Sequence, residues 1–238
     1  MRPRALCLAA ALALLPLPGL AQGCRLALAL ALDVSSSVDA AEDALQRGGL
    51  AAALTAPEVV RAAFSSPRPV ALAAYEWSGR GHQSIVLNWT LLHGPEDLAQ
   101  AARVIADSRR AYDTFETAMG HALAFGAALL TRAPDCDFQT IDLSGDGRNN
   151  DGFGPRIAYT DPAFARITVN GLVINAADFE GELDLIDIFR REVLHGPGAF
   201  LEIAQGFDDF ERAMRRKLER ELRGQVIGVL PARQGPPG

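Results

Sequence analysis

Residues 26–32 read Leu-Ala-Leu-Ala-Leu-Ala-Leu, with no charge among them. An apolar run of that length, closed by small polar residues, predicts a strand buried on both faces. Residues 39–54 predict a helix carrying Leu45, Leu50 and Leu54 among alanines, and Pro57 starts a short second turn. Ser65-Ser66-Pro67-Arg68-Pro69 reads as a loop. Strands follow at 70–77 and 83–92. The Gly-containing turn between them implies an antiparallel hairpin. Pro95 suits the first position of a helix running to 106. After a polar loop at 109–114, an Ala/Leu-rich helix begins at Thr117 and runs to 131. A fourth strand at 138–143 runs into Ser144-Gly145-Asp146-Gly147-Arg148-Asn149-Asn150. The glycines of that loop allow its backbone and Asp146 to approach a neighbour closely.

Asp161-Pro162 reads as a cap and first position of a short helix, ahead of a fifth strand at 168–174. An amphipathic helix at 183–193 is stopped by Gly196-Pro197-Gly198, and a short sixth strand covers 199–204. A last helix at 207–223 places Phe207, Phe210, Met214, Leu218 and Leu222 on one stripe. Asp208 and Asp209 open it, and Arg215, Arg216, Lys217 and Arg220 follow, an order that suits the helix dipole. The basic run reads as a solvated helix face, with a partner site as the alternative. Strands alternate with helices apart from the one hairpin. The expected fold class is therefore α/β, a doubly wound, mostly parallel sheet with one antiparallel strand. Ligands of such sheets sit beyond the carboxyl ends of the strands, where the strand order reverses.

The chain has 238 residues. Its first 21 read as a secretory signal: Arg2 and Arg4, an apolar stretch too short to span a bilayer, then Gly19-Leu20-Ala21. Cleavage is expected after Ala21. Gln22 stands where a lipobox ahead of Cys24 would need a small residue. Residues 22–226 form the expected domain and 227–238 a disordered tail. No later segment reads as a membrane helix. The formal charge of −6 becomes about −8 once Arg2 and Arg4 leave with the signal, which argues against nucleic acid as a partner. Apart from Lys217 the basic residues are all arginine; with abundant Ala, Gly and Pro this suggests a GC-rich bacterial genome. The expected location is periplasmic or secreted.

Chemistry gathers at the end of the first strand. Alternate side chains of an extended segment point the same way, so Asp33, Ser35 and Ser37 can converge just beyond it. One carboxylate and two hydroxyls suit Mg²⁺ or Mn²⁺ and suit zinc or copper poorly. Alone, the pentapeptide leaves a second reading open, in which Ser37 or Asp39 caps the next helix. Glu76 and Asp142 interrupt apolar strands. They read as hydrogen-bonded structural acids, or as partners of the metal site or of a guanidinium. Trp77 reads as core, and His82, His121 and His195 show no ligand spacing. Asn149-Asn150-Asp151-Gly152 is not a calcium loop of the EF-hand type, because its first acid would fall on Gly147.

These pieces together resemble the von Willebrand factor A domain and its metal-ion-dependent adhesion site. Asp33-Val34-Ser35-Ser36-Ser37 matches the family's Asp-x-Ser-x-Ser. Thr117, with Gly120, Ala122 and Leu123, matches its Thr ahead of a Gly-x-Ala-Leu helix. Asp146-Gly147 matches its Asp-Gly after the fourth strand. The likeness covers nearly all of the chain after the signal, and the Ser-Gly-Asp-Gly loop is similar to that of exported proteobacterial A-domain-like proteins of unknown function. The resemblance implies a six-stranded sheet of order 3-2-1-4-5-6, strand 3 antiparallel, with helices on both faces. It implies that Ser35, Ser37 and Thr117 bind the metal directly, and Asp33 and Asp146 directly or through water. The implied cation is Mg²⁺, with Mn²⁺ or Ca²⁺ as alternatives, and an Asp or Glu carboxylate of a partner protein fills an open position. Rival readings make Thr117 a helix cap and Asp33 or Asp146 simple turn formers. The same strand order places Cys24 and Cys136 at one end of adjacent strands, where a disulfide is plausible.

The expected function is thus an exported, metal-dependent interaction module and not an enzyme. The chain has no Gly-x-Ser-x-Gly elbow, no P-loop and no His-Glu-x-x-His. A metal-dependent hydrolase and a structural domain with a vestigial site are the alternatives.

Overall fold

The computed structural model describes residues 23–175 and 184–224. The expected signal (1–21) and tail (227–238) lie outside them, as does Leu183. The first strand, β1, runs Cys24–Asp33 and is buried along its whole length. Two helices follow, α1 (Ala40–Thr55) and α2 (Pro57–Ala63), then β2 (Val70–Trp77) and β3 (Gln83–Leu92). Next come α3 (Pro95–Ala106), α4 (Met119–Leu130) and β4 (Cys136–Gly145). A short helix α5 (Pro155–Ala158) and a 3-10 turn (Pro162–Arg166) lead into β5 (Ile167–Ile174). The chain ends with α6 (Leu185–Ile188), a π-helical turn (Phe189–Val193), β6 (Leu201–Ala204), a 3-10 turn (Phe207–Asp209) and α7 (Phe210–Gly224).

The sheet order is β3-β2-β1-β4-β5-β6. Only β3 is antiparallel, to β2; every other pairing is parallel. The Leu-Ala alternation of β1 explains how two layers of helices cover it. Leu26, Leu28, Leu30 and Leu32 pack in the larger core with α1, α2, α3 and α7. Ala27, Ala29 and Ala31 face the other way, packing with α4, α5, α6 and the π-helical turn. Small residues on that face let α4 come close: a Cβ on Gly126 would stand 2.6 Å from the Tyr75 hydroxyl. The hairpin turn ahead of β3 uses Gly81 at φ +78°, a conformation that L side chains rarely adopt.

Cys24 and Cys136 pair in register across β1 and β4 and form a disulfide, with Cα atoms 4.4 Å apart. It spans 112 positions, a loop whose closure is worth roughly 4–5 kcal/mol on the chain-entropy account.

Three expectations need correction. The helix expected to begin at Thr117 begins at Met119. The amphipathic helix expected at 183–193 is α-helical only over Leu185–Ile188, then widens into the π-helical turn. The basic run of the last helix is not wholly solvated, because Lys217 is completely buried. Its ammonium lies 2.6 Å from Asp142 Oδ1 and 2.8 Å from Glu221 Oε1. Tertiary acids on a strand and one helical turn away drew the lysine inward. The stripe of Phe207, Phe210, Met214, Leu218 and Leu222 is buried as expected.

Candidate metal centre

The strand order reverses between β1 and β4, and both strands end at the same edge of the sheet. Three loops meet there. The first follows β1. Asp33 is fully buried, and its Oδ1 accepts a 2.8 Å hydrogen bond from the backbone N–H of Ser35. That is an Asx turn, so the turn-forming role of Asp33 is real. It uses one oxygen. Asp33 Oδ2 is buried with no hydrogen-bond partner.

The second loop follows β4. Ser37 Oγ donates to Asp146 Oδ1 at 2.8 Å, and Ser35 Oγ and Ser37 Oγ are 3.1 Å apart. Gly145 and Gly147 make the close approach possible. A Cβ on Gly145 would stand 3.0 Å from Asp33 Oδ2, and one on Gly147 3.4 Å from Thr117 Oγ1 and 3.9 Å from Ser37 Oγ. The third loop carries Thr117. Its backbone N–H donates to Asn150 Oδ1 at 2.8 Å, and its carbonyl accepts from the N–H groups of Asn150 and Asp151. All five residues expected at the site, Asp33, Ser35, Ser37, Thr117 and Asp146, are thus brought to one place.

The capping readings divide. Of the two caps open for α1, Asp39 is the one used, in a reciprocal capping box with Glu42, and Ser37 is not. The residue ahead of α4 is Ala118, and no side chain caps that helix.

The electrostatics point the same way. Burial, and then the nearby charge of Asp146, push the Asp33 carboxyl up to about 8, against the lowering effect of the Ser35 and Asp146 hydrogen bonds. A buried carboxyl beside a second carboxylate favours a proton or a positive charge at that place. Two carboxylates, one with a buried oxygen that has no donor, and three hydroxyls make a donor set that fits a hard divalent cation. Among the described residues, no group of three or more His, Cys, Asp and Glu is placed to hold a metal.

Several supporting residues were not legible in the sequence. Arg110 reaches back to the first loop, donating to the carbonyls of Val34, Ser35 and Val38 at 2.6–2.9 Å. Gln46 Nε2 donates to the carbonyl of Asp33 at 2.8 Å, and the Ser144 hydroxyl lies 3.2 Å from Gln46 Oε1. Glu76 does pair with a guanidinium, that of Arg47, while its other oxygen accepts from the Ala111 N–H at 2.7 Å. Asp142 pairs instead with the Lys217 ammonium, within the sheet and away from the site. Asn149 and Asn150, which lack the spacing of a calcium loop, tie the second loop to the third. Trp77 is buried; His82 stacks on Phe115 with ring centres 3.4 Å apart, and His121 packs on Phe153.

The sheet order and the two helix layers are those of the von Willebrand factor A-like fold. The chain belongs to the family described as "Protein of unknown function (DUF1194)", whose model matches residues 23–226. Among curated proteins none matches. Solved structures with the same fold include proximal thread matrix protein 1 from the mussel byssus with a zinc-occupied MIDAS motif. It is 14% identical, with 86% of this chain and 48% of that one covered and a TM-score of 0.57. The pilus adhesin SpaC from Lactobacillus rhamnosus GG, in an open conformation, is 14% identical, with 84% and 30% covered and a TM-score of 0.59. A von Willebrand factor type A protein from Catenulispora acidiphila is 17% identical, with 86% and 43% covered and a TM-score of 0.51. The chain therefore spans half or less of the length of each of these structures.

Proposed function

We propose that this chain is an exported interaction module that holds a divalent cation and docks a carboxylate of a partner protein. The observation that carries the reading is the orphaned Asp33 Oδ2, buried beside two hydroxyl-bearing loops and the Asp146 carboxylate. Ser35, Ser37 and Thr117 would hold the cation through neutral oxygens, with Asp33 and Asp146 supplying its negative charge. A cation so bound stays electron-poor and offers an exchangeable position to an incoming Asp or Glu side chain. Mg²⁺ is the proposed ion, with Mn²⁺ and Ca²⁺ as alternatives of the same hard class. The zinc-occupied motif of the byssus protein and the adhesin among the structural neighbours support the same class of role.

We read the module as non-enzymatic. His82 and His121 are engaged with aromatic rings. A periplasmic or secreted location follows from the signal-like residues 1–21. Among the described residues no helix is long and apolar enough to cross a membrane.

Calorimetric titration of Mg²⁺ and Mn²⁺ into the metal-stripped protein, beside Asp33→Ala, tests the reading. Saturable binding lost in the variant is expected, and it should tighten when a short acidic peptide is present. Failure to bind either ion, with or without the peptide, overturns it. Turnover on a phosphoester panel that disappears in Asp33→Ala would establish the hydrolase instead.

A further inference from the structure

A well-formed cavity lies away from the metal centre. It lies where β4, β5 and β6 begin, whereas Asp33 and Gly145 close β1 and β4 at the opposite edge of the parallel sheet. Its volume is about 580 Å³, within the range of small-molecule sites. Phe138 lies near the start of β4, Ile167 opens β5, and Phe200 directly precedes β6. With Pro197 they give the cavity an apolar body. Arg220 covers the Phe200 ring, its guanidinium carbon 3.8 Å from the ring centre, and Arg166 lines the same cavity from the end of the 3-10 turn.

Neither guanidinium takes part in an ion pair among the described residues, and both side chains are exposed. The other arginines of α7 differ: Arg212, Arg215, Arg216 and Arg223 each pair with an acid. The acid in the cavity wall, Glu221, does not serve Arg220 or Arg166. It is buried, and its Oε1 accepts from Asn170 Nδ2 at 2.6 Å and from Lys217 at 2.8 Å. Aromatic walls with two unpaired cations suit a molecule with a flat or branched apolar body and one negative group. Guanidinium binds a carboxylate or sulfonate through paired hydrogen bonds, and stacked on an aromatic ring it loses little entropy in doing so.

We propose that this cavity, walled by Phe138 and Phe200 and edged by Arg166 and Arg220, binds a small amphipathic anion. The site is separate from the metal centre and does not depend on it.

Fluorescence titration of the full chain with 8-anilinonaphthalene-1-sulfonate, beside its uncharged counterpart N-phenyl-1-naphthylamine, tests this. The sulfonate is expected to saturate at one site per chain. The double variant Arg166→Gln/Arg220→Gln should weaken it about tenfold or more, while the affinity of the uncharged probe changes less than about threefold. Both substituted side chains are exposed, so an unchanged melting temperature is expected to accompany the loss. Phe200→Leu, which trims the apolar wall, should weaken both probes. Absence of saturable sulfonate binding, or binding that the double variant leaves intact, overturns the proposal. Equal weakening of the two probes in the double variant overturns it as well, since charge would then play no part.

Discussion

Ser37 and Asp146, 109 positions apart, meet through a 2.8 Å hydrogen bond from hydroxyl to carboxylate. The contact exists because β1 and β4 are sheet neighbours running in the same direction, so the loops after them leave from one edge. In the proposed metal centre the Ser37 oxygen is both a ligand and the group that orients Asp146. Ser37→Ala is therefore expected to lower Mn²⁺ affinity by about tenfold to a hundredfold, the worth of one charged hydrogen bond. Ser37 is exposed, so the melting temperature of the metal-free protein should hold. Calorimetry and a thermal melt of the same sample check both.

The hydrogen bonds of the Arg110 guanidinium go to backbone carbonyls. Arg110 holds the backbone that carries the candidate ligands of the first loop, through the carbonyls of Val34, Ser35 and Val38. Arg110→Ala leaves those carbonyls without their charged donor. Metal affinity should fall about tenfold or more, at a cost in stability of about 1.5–3 kcal/mol. Arg110→Lys retains charge but not the fork, and should restore only part of the affinity. Urea denaturation in chelator, set against Mn²⁺ titration, separates the two effects.

Gly120, in the first turn of α4, faces the loop that follows the metal centre. A Cβ there would overlap the carbonyl oxygen of Phe153 and lie 2.8 Å from that of Gly154. Backbone cannot yield as a flexible side chain can. Gly120→Ala is expected to destabilise by about 1–3 kcal/mol, despite the better helix propensity of alanine. Thermal unfolding measures it, and unchanged stability would contradict the close packing of α4 on that loop.

Asp142, Lys217 and Glu221 place two acids around one buried ammonium. Burial, and then the charge of Glu221, raise the Asp142 carboxyl to about 7, against the pull of Lys217. An acid whose folded-state pKa is raised contributes stability that is full below its unfolded value. That contribution is lost as pH rises through the folded value. The wild type should therefore lose stability relative to Asp142→Asn between about pH 4 and pH 7. Chemical denaturation of both proteins across that range gives the difference directly. A constant difference would show that Asp142 is ionised throughout.

Much of the fold is legible in local spacing. β2, β3 and α3 fall where apolar runs, a glycine turn and Pro95 place them. Those positions are properties of the covalent chain, set by rise and rotation per residue. The candidate ligands are legible in another way: Asp33, Ser35 and Ser37 through their Asp-x-Ser-x-Ser pattern, Thr117 and Asp146 only through the family resemblance. The convergence of the first three is made by a turn after β1 and not by an extended segment. Lys217 marks where that reasoning stops. Its neighbours Arg216 and Arg220 are exposed, so sequence alone reads a wet helix face; a strand acid 75 positions away turns it into core. Arg110, Gln46 and Asn150 are illegible for the same reason. Each acts on a backbone group or side chain supplied by another element, and only packing decides which element arrives. The sequence determined the strands, the helices and the oxygen-rich loops. The tertiary structure decided what lies opposite each polar group, because a buried charge or carbonyl must be paired by whatever the fold brings within 3 Å.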